Sequence, residues 1–302
     1  MLTRDSATYV VAGAAVSLAF AVILHRMRRR QSKSLVLTES RPAEEYPPGT
    51  VYSDASLQSV VACNLADVRK RLRAAASARP NKKSREPVLL AVSKAQPIEA
   101  LLEAYAAGQR DFAENYVQEL TNKVTEMPPD CRWHFVGNLQ ANKANDLVRR
   151  CGPGLAVIET VDSAHLADEI DAAIMSLPEV LVRARRSPLE VMIQVNTSPS
   201  EGNTNGVLAV AVPALADHIR TRCPNVTLGG LMTIGAPERP ECFTALCKCR
   251  DALATHLGVE PNSLRLSMGM SNDFEKAVAA GSDSVRVGSS IFCGRNYINY
   301  TT

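Results

Sequence analysis

Eight short apolar runs, separated by longer stretches with helical spacing, constrain what this chain can fold into more than any other feature. The runs fall at Val88 to Ser93, Asp111 to Ala113, Trp133 to Gly137, Leu155 to Thr160, Leu189 to Asn196, Thr227 to Ile234, Leu264 to Ser267 and Ser284 to Val287. Between them lie segments such as IEALLEAYAAG, SAHLADEIDAAIMSL, PALADHIRTRC and CFTALCKCRDALATHLG, whose apolar residues recur at helical intervals. Strand-length runs alternating with helix-length patterns are the mark of a parallel sheet, because parallel neighbours require a crossover connection. Eight such units over about 240 residues match a single closed (β/α)8 barrel. A doubly wound open sheet ranks second, since no glycine-rich dinucleotide turn follows the first run.

The barrel pattern is expected over 53–302. A preceding helix is predicted over DASLQSVVACNLADVRKRLRAAASA, with Asp54 as its N-cap. Residues 31–52 contain three prolines and no period, and read as a linker. Upstream, Tyr9 to Leu24 form sixteen residues without a charge, followed by RMRRRQSK, which holds five basic residues. This segment of 1–30 is just short of the roughly 17–25 residues of a span. Its positive flank lies on the wrong side for a secretory signal. A signal-anchor with the barrel facing the cytosol is expected, with a soluble cytoplasmic or mitochondrial protein as the alternative.

Composition narrows the functional classes. Without the 26–33 cluster, 29 basic residues face 31 acidic ones, so the barrel has no electrostatic footprint for nucleic acid. The eight cysteines include no CxxC pair. They read as reduced thiols, with neither a disulfide framework nor a metal site expected.

Barrel chemistry is placed at strand C-termini, so the polar residues that end each run are the candidates. In LLAVSKAQP, Lys94 ends the first run. A lysine desolvated against strand ends has its ammonium form disfavoured, leaving the neutral amine that attacks aldehydes. The plainer alternative is a rim charge that is solvated or paired with Glu114. The last two runs are followed by small-residue loops, SMGMSNDFEKA and RVGSS. These loops would cradle a phosphate where barrels commonly bind one, after strands seven and eight. Alternatively, Gly269 and Gly288 serve only tight turns. A reactive amine on one strand and a phosphate cradle across the barrel suggest a ligand with an aldehyde at one end and a phosphate at the other, which is pyridoxal 5′-phosphate (PLP). Arg286 is then a candidate partner for the pyridine nitrogen, keeping it unprotonated; a phosphate contact or a surface ion pair are the other readings.

The segments LLAVSKAQP, DFAENYVQE, WHFVGNLQANK, VMIQVNTS, GLMTIG and LSMGMSNDFEKAVAAGSDSVRVGSSIFCGRNY strongly resemble the pyridoxal-phosphate homeostasis family, also known as the proline synthetase co-transcribed group. The resemblance runs from about Val88 to Tyr297. It implies a (β/α)8 TIM barrel similar to the N-terminal domain of alanine racemase, with PLP as a Schiff base on Lys94. It also implies that Asn115 and His134 line the pocket and that Met232 packs near the ring. Ser267, Met268, Ser271, Gly288 and Ser289 would then lie at the phosphate end, and Arg286 at the ring nitrogen. The sequence departs from the family pattern at Ala113, where a glycine is usual, at Asn203-Thr204-Asn205-Gly206, which lacks the usual lysine, and in its N-terminal segment.

A racemase-like enzyme is the alternative to a PLP carrier. Racemisation needs an acid/base group on each face of the substrate carbon, which alanine racemases complete with a second domain. Only five residues follow Tyr297. The expectation is a monomeric carrier without strong catalysis that passes PLP to amines or PLP-dependent apoenzymes.

Overall fold

Eight parallel strands close on themselves in sequence order, β1 (Val88–Val92), β2 (Asp111–Glu114), β3 (Arg132–Phe135), β4 (Leu155–Val161), β5 (Leu189–Gln194), β6 (Val226–Met232), β7 (Arg265–Met270) and β8 (Ser284–Val287). The ring is sealed by β1 against β8, with Leu90 opposite Arg286 and Ala91 opposite Val287. The closed parallel barrel expected from the alternating pattern is thus present. The computed structural model describes residues 59–79, 85–184, 188–198, 205–236 and 239–292, all within the unit Ala55–Thr302. The expected anchor at 9–24, the basic cluster, the linker at 31–52, Asn203, Thr204 and Tyr297 lie outside the described residues. Among the described residues no helix is long and apolar enough to cross a membrane.

Strand alternation separates two kinds of interior. Outward-facing residues such as Phe112, Trp133, Phe135, Ile158, Val191, Leu231, Leu266 and Val285 form the main core with the surrounding helices. Each such side chain contributes roughly 1.5–3 kcal/mol on burial. Phe112 and Trp133, neighbours across β2 and β3, have ring centroids 5.4 Å apart. The barrel lumen holds two small apolar clusters, Leu90 with Ala113 and Val136, and Val157 with Met192 and Met232. The rest of the lumen is polar, and that is where the site is built.

The helix Val60–Ser77 buries Val61, Leu65, Val68 and Leu72 against the barrel, the three- and four-residue spacing of one apolar stripe. It is capped by Ser59, whose hydroxyl accepts from the Ala62 N–H at 3.1 Å. The start therefore lies at Ser59 and not at the expected Asp54, which is outside the described residues. Arg79, just beyond this helix, is buried and donates to the carbonyls of Val278, Arg85 and Ser282. It ties the helix to the turn before β8.

Candidate functional site

Lys94 stands at the C-terminal mouth of the barrel, two residues beyond β1 and half-buried. Its neighbours on both sides are fixed through their backbones. The carbonyl of Ser93 accepts from Lys123 Nζ at 2.7 Å, and the Ala95 N–H donates to Glu119 Oε2 at 2.9 Å. Lys123 also reaches Glu114 Oε1 at 2.6 Å and Glu119 Oε2 at 2.8 Å, and the Ser93 hydroxyl donates to Glu114 at 2.7 Å. Burial pushes the Glu114 carboxyl up, and the charge and hydrogen bond of Lys123 oppose that shift. Glu114, the partner offered to Lys94 by the plainer alternative, engages Lys123 behind the sheet, because alternation along β2 points it at the helix Val117–Glu126. Ala95 takes φ +56°, a left-handed conformation unusual for a residue with a Cβ.

Below this mouth a buried hydrogen-bonded relay crosses the lumen. His134 Nδ1 lies 2.8 Å from Glu159 Oε1, and the Ser267 hydroxyl donates to Glu159 Oε2 at 2.6 Å. Arg286 donates to the Ser267 hydroxyl at 2.7 Å and to the Thr233 carbonyl at 2.7 Å. Burial alone would raise the Glu159 carboxyl. The His134 hydrogen bond and charge, the charge of Arg286 and the Ser267 hydroxyl more than offset it, and hold it below the ordinary value of 4.5. Burial lowers the Arg286 guanidinium, with Glu159 opposing. Three of the predicted residues, His134, Ser267 and Arg286, are thus joined by a fourth that the motifs did not single out. The signal was present in VIETV, where a lone carboxylate sits inside an apolar strand. Reading Thr160 as the strand-end group obscured it. The register of β4 shifts between Ile158 and Val161, and Thr160 is buried with its hydroxyl unpartnered among the described residues.

The relay sets an acid limit. A carboxylate whose folded pKa is depressed contributes stability above its unfolded value, and that contribution is lost as pH falls through the folded value. The midpoint of thermal unfolding is therefore expected to drop in acid below 4.5. Glu159→Gln, less stable at neutral pH, should show a flatter acid limb. Parallel acid limbs for the two proteins would remove Glu159 from that role.

Beside Lys94, and not across the barrel from it, because β8 pairs with β1, Gly288 lies against β1: a Cβ there would meet the Val92 carbonyl oxygen at 3.1 Å. Its N–H donates to the Ser271 hydroxyl at 3.3 Å, which brings the β7 and β8 loops together. Gly269 takes φ +93°, and a Cβ would meet Ala277 Cβ at 2.5 Å. This glycine lets the chain turn into the helix Phe274–Ala280. Ser289 is exposed at the start of the short helix Ser289–Phe292. Met232 belongs to the inner apolar cluster. Asn115 directly follows β2, with its carbonyl pressed against Gly137.

Met268 differs from its expected position. Ser267 faces the lumen, so alternation sends the Met268 side chain into the core between sheet and helices. Its N–H and carbonyl are both bonded to the Ser282 hydroxyl, at 3.3 and 2.8 Å. It supports the loop from behind and presents neither side chain nor backbone to the mouth. Thr233, whose hydroxyl pairs with Thr197 at 2.9 Å and whose carbonyl fixes Arg286, joins the site through β6.

The alanine racemase N-terminal domain family matches residues 63–296. A pyridoxal phosphate homeostasis protein of Bos taurus is 39% identical over 249 residues, covering 78% of this chain and 87% of the relative. PipY of Synechococcus elongatus, solved with PLP bound, is 33% identical with a TM-score of 0.59, covering 77% of this chain and 99% of that one. Alanine racemase of Corynebacterium glutamicum shares the fold at 14% identity, TM-score 0.56, covering 81% of this chain and 63% of the racemase. With these matches spread over the whole barrel, the chain belongs to the pyridoxal phosphate homeostasis protein family, built on the alanine racemase N-terminal domain.

Proposed function

We propose that this protein binds PLP at the C-terminal mouth of the barrel, as a Schiff base on Lys94, and acts in PLP homeostasis and supply. The observation that carries the reading is the placement of Lys94. Lys94 stands at the mouth on a loop whose backbone is anchored immediately before and after it. Such anchoring keeps the amine at one position relative to the loops after β7 and β8, which is what capture of an aldehyde held at its far end requires.

The donor set around the mouth fits the group. Ser271, Ser289 and the backbone near Gly288 supply neutral donors for a phosphate, and a Cβ at Gly288 would crowd the Val92 carbonyl at 3.1 Å. His134 and Asn115 line the pocket, and Met232 supplies an apolar surface for a ring. Arg286, held by Ser267 and Thr233, presents a fixed cation toward the ring nitrogen, which favours its unprotonated form. Bound PLP supplies an electrophilic aldehyde, and an unprotonated ring is a weak electron sink. That pairing suits retention and transfer to acceptor amines or apoenzymes better than turnover of amino acids, in keeping with the name borne by the relatives.

Purified protein is expected to show the visible absorption band of a PLP Schiff base, and Lys94→Ala to abolish it. An unchanged band in Lys94→Ala would move the attachment elsewhere. Sustained turnover of any D- or L-amino acid would replace the supply role with the racemase-like alternative.

A further inference from the structure

On the flank of the barrel, away from the mouth, two helices bring together three side chains of different chemistry. Asp168 projects from the helix Ala164–Met175, His218 from the helix Val212–Arg222, and Cys223 follows that second helix directly. His218 Nε2 lies 2.6 Å from Asp168 Oδ1, and the Cys223 thiol donates to the same oxygen at 3.6 Å. One ligand atom from each of the three falls within 4.8 Å of the other two. We infer that Asp168, His218 and Cys223 form a binding site for a divalent transition metal, with zinc the ion its donor set selects.

The argument rests on donor type and spacing. Thiolate, imidazole and carboxylate are the three protein ligands of zinc, at bond lengths of about 2.0–2.3 Å. A tetrahedral ion with those bonds sets its ligand atoms roughly 3.3–3.8 Å apart. The Asp168 to Cys223 separation already falls in that range. The Asp168 to His218 contact must open from a hydrogen bond to a shared ligation, which an exposed aspartate achieves by rotating about its own side chain. Two further histidine and carboxylate groups frame the site. His165 is one turn before Asp168 on the same helix, and Asp171 one turn after it, its carboxylate receiving the Asn225 N–H at 2.7 Å. His165 or water completes the fourth position.

Chemically, binding is an exchange of protons for metal. On ligation the thiol proton is released to solvent, the sulfur lone pair bonds the ion, and His218 presents Nε2 as a lone pair with its proton on Nδ1. No electron is transferred. The bound ion would clamp two adjacent helices of the barrel wall.

Cysteine spacing gave no hint of this, because Asp168 is remote in sequence from the other two ligands. The test uses the full chain loaded with PLP, titrated with zinc and with cobalt(II) as a spectroscopic probe. One equivalent of cobalt should give tetrahedral d–d bands in the red, clear of cofactor absorption, and zinc should displace them. His218→Ala, at a partly exposed position, and Cys223→Ser should each weaken zinc binding tenfold or more. Cys249→Ser, a buried thiol elsewhere, should leave it unchanged. Absence of a cobalt spectrum in the wild type, or binding undiminished in both His218→Ala and Cys223→Ser, would overturn the assignment.

Discussion

Replacing Lys123 by methionine is expected to destabilise the protein by about 3–5 kcal/mol, the cost of leaving a buried carboxylate without its cation. Glu114 is fully buried and Lys123 nearly so, and the ammonium is the hub for Glu114, Glu119 and the Ser93 carbonyl. Methionine matches the length and apolar stem of lysine but carries no donor, so all three acceptors lose a partner at once. Burial already pushes the Glu114 carboxyl up. Without Lys123 it would take up a proton on folding at neutral pH, which makes the variant relatively less unstable in mild acid. Urea unfolding at neutral and mildly acidic pH measures both effects. The double variant Lys123→Met with Glu114→Gln, which removes the buried charge, should recover part of the loss.

The consequence extends to Lys94. Ala95 is left-handed and donates its N–H to Glu119, and a residue with a Cβ gains roughly 1–2 kcal/mol on relaxing from that conformation, so loosening Glu119 favours a shift of the loop. Lys123→Met should therefore slow or weaken PLP capture even where the protein remains folded. A variant that loses less than about 1 kcal/mol and captures PLP at the wild-type rate would show that the cluster is a solvated surface pair in energetic terms, contrary to its burial.

Much of this architecture was legible in the sequence, and the reasons are particular. Each apolar run of the barrel became a strand because its neighbours on both faces are apolar or lumen-facing in strict alternation, as in Trp133, His134 and Phe135. Lys94 and Gly288 stood out as candidates because they follow strand ends, where the topology concentrates chemistry, whereas Ser271 entered through the family motif. What escaped was whatever depends on pairing across the chain. Glu159 looked like an ordinary strand residue until β3, β7 and β8 placed His134, Ser267 and Arg286 around it. Glu114 entered only as an alternative partner for a rim Lys94, since both stand at strand ends. The direction of a β2 side chain decides that it faces Lys123 instead. Met268 lies one residue past Ser267, and a single step along a strand reverses its face.

Close backbone approach is the other property that spacing does not reveal, and it sets the final prediction. A Cβ added at Gly137 would fall 1.8 Å from the Asn115 carbonyl oxygen and 2.6 Å from its carbon. Both obstructing atoms are backbone, so no side-chain rotation relieves the overlap, and the C-terminal ends of β2 and β3 must separate. Overpacking of this kind costs about 1–3 kcal/mol and occasionally more; Gly137→Ala should fall at or above the upper end. Gly258→Ala supplies the contrast. Gly258 has φ +65° with nothing within 4 Å of the added methyl, so its cost is conformational alone, about 1–2 kcal/mol, and it caps the helix Glu241–Leu257 before the N-terminal end of β7, not the C-terminal strand ends that form the mouth. Both variants should lose stability in urea unfolding, but only Gly137→Ala should also release PLP more readily. The displaced backbone is that of Asn115, whose N–H is bonded to Glu114, and through Glu114 the movement reaches Lys123 and the loop that presents Lys94. Equal PLP retention by the two variants would mean that the β2 terminus does not position the lysine.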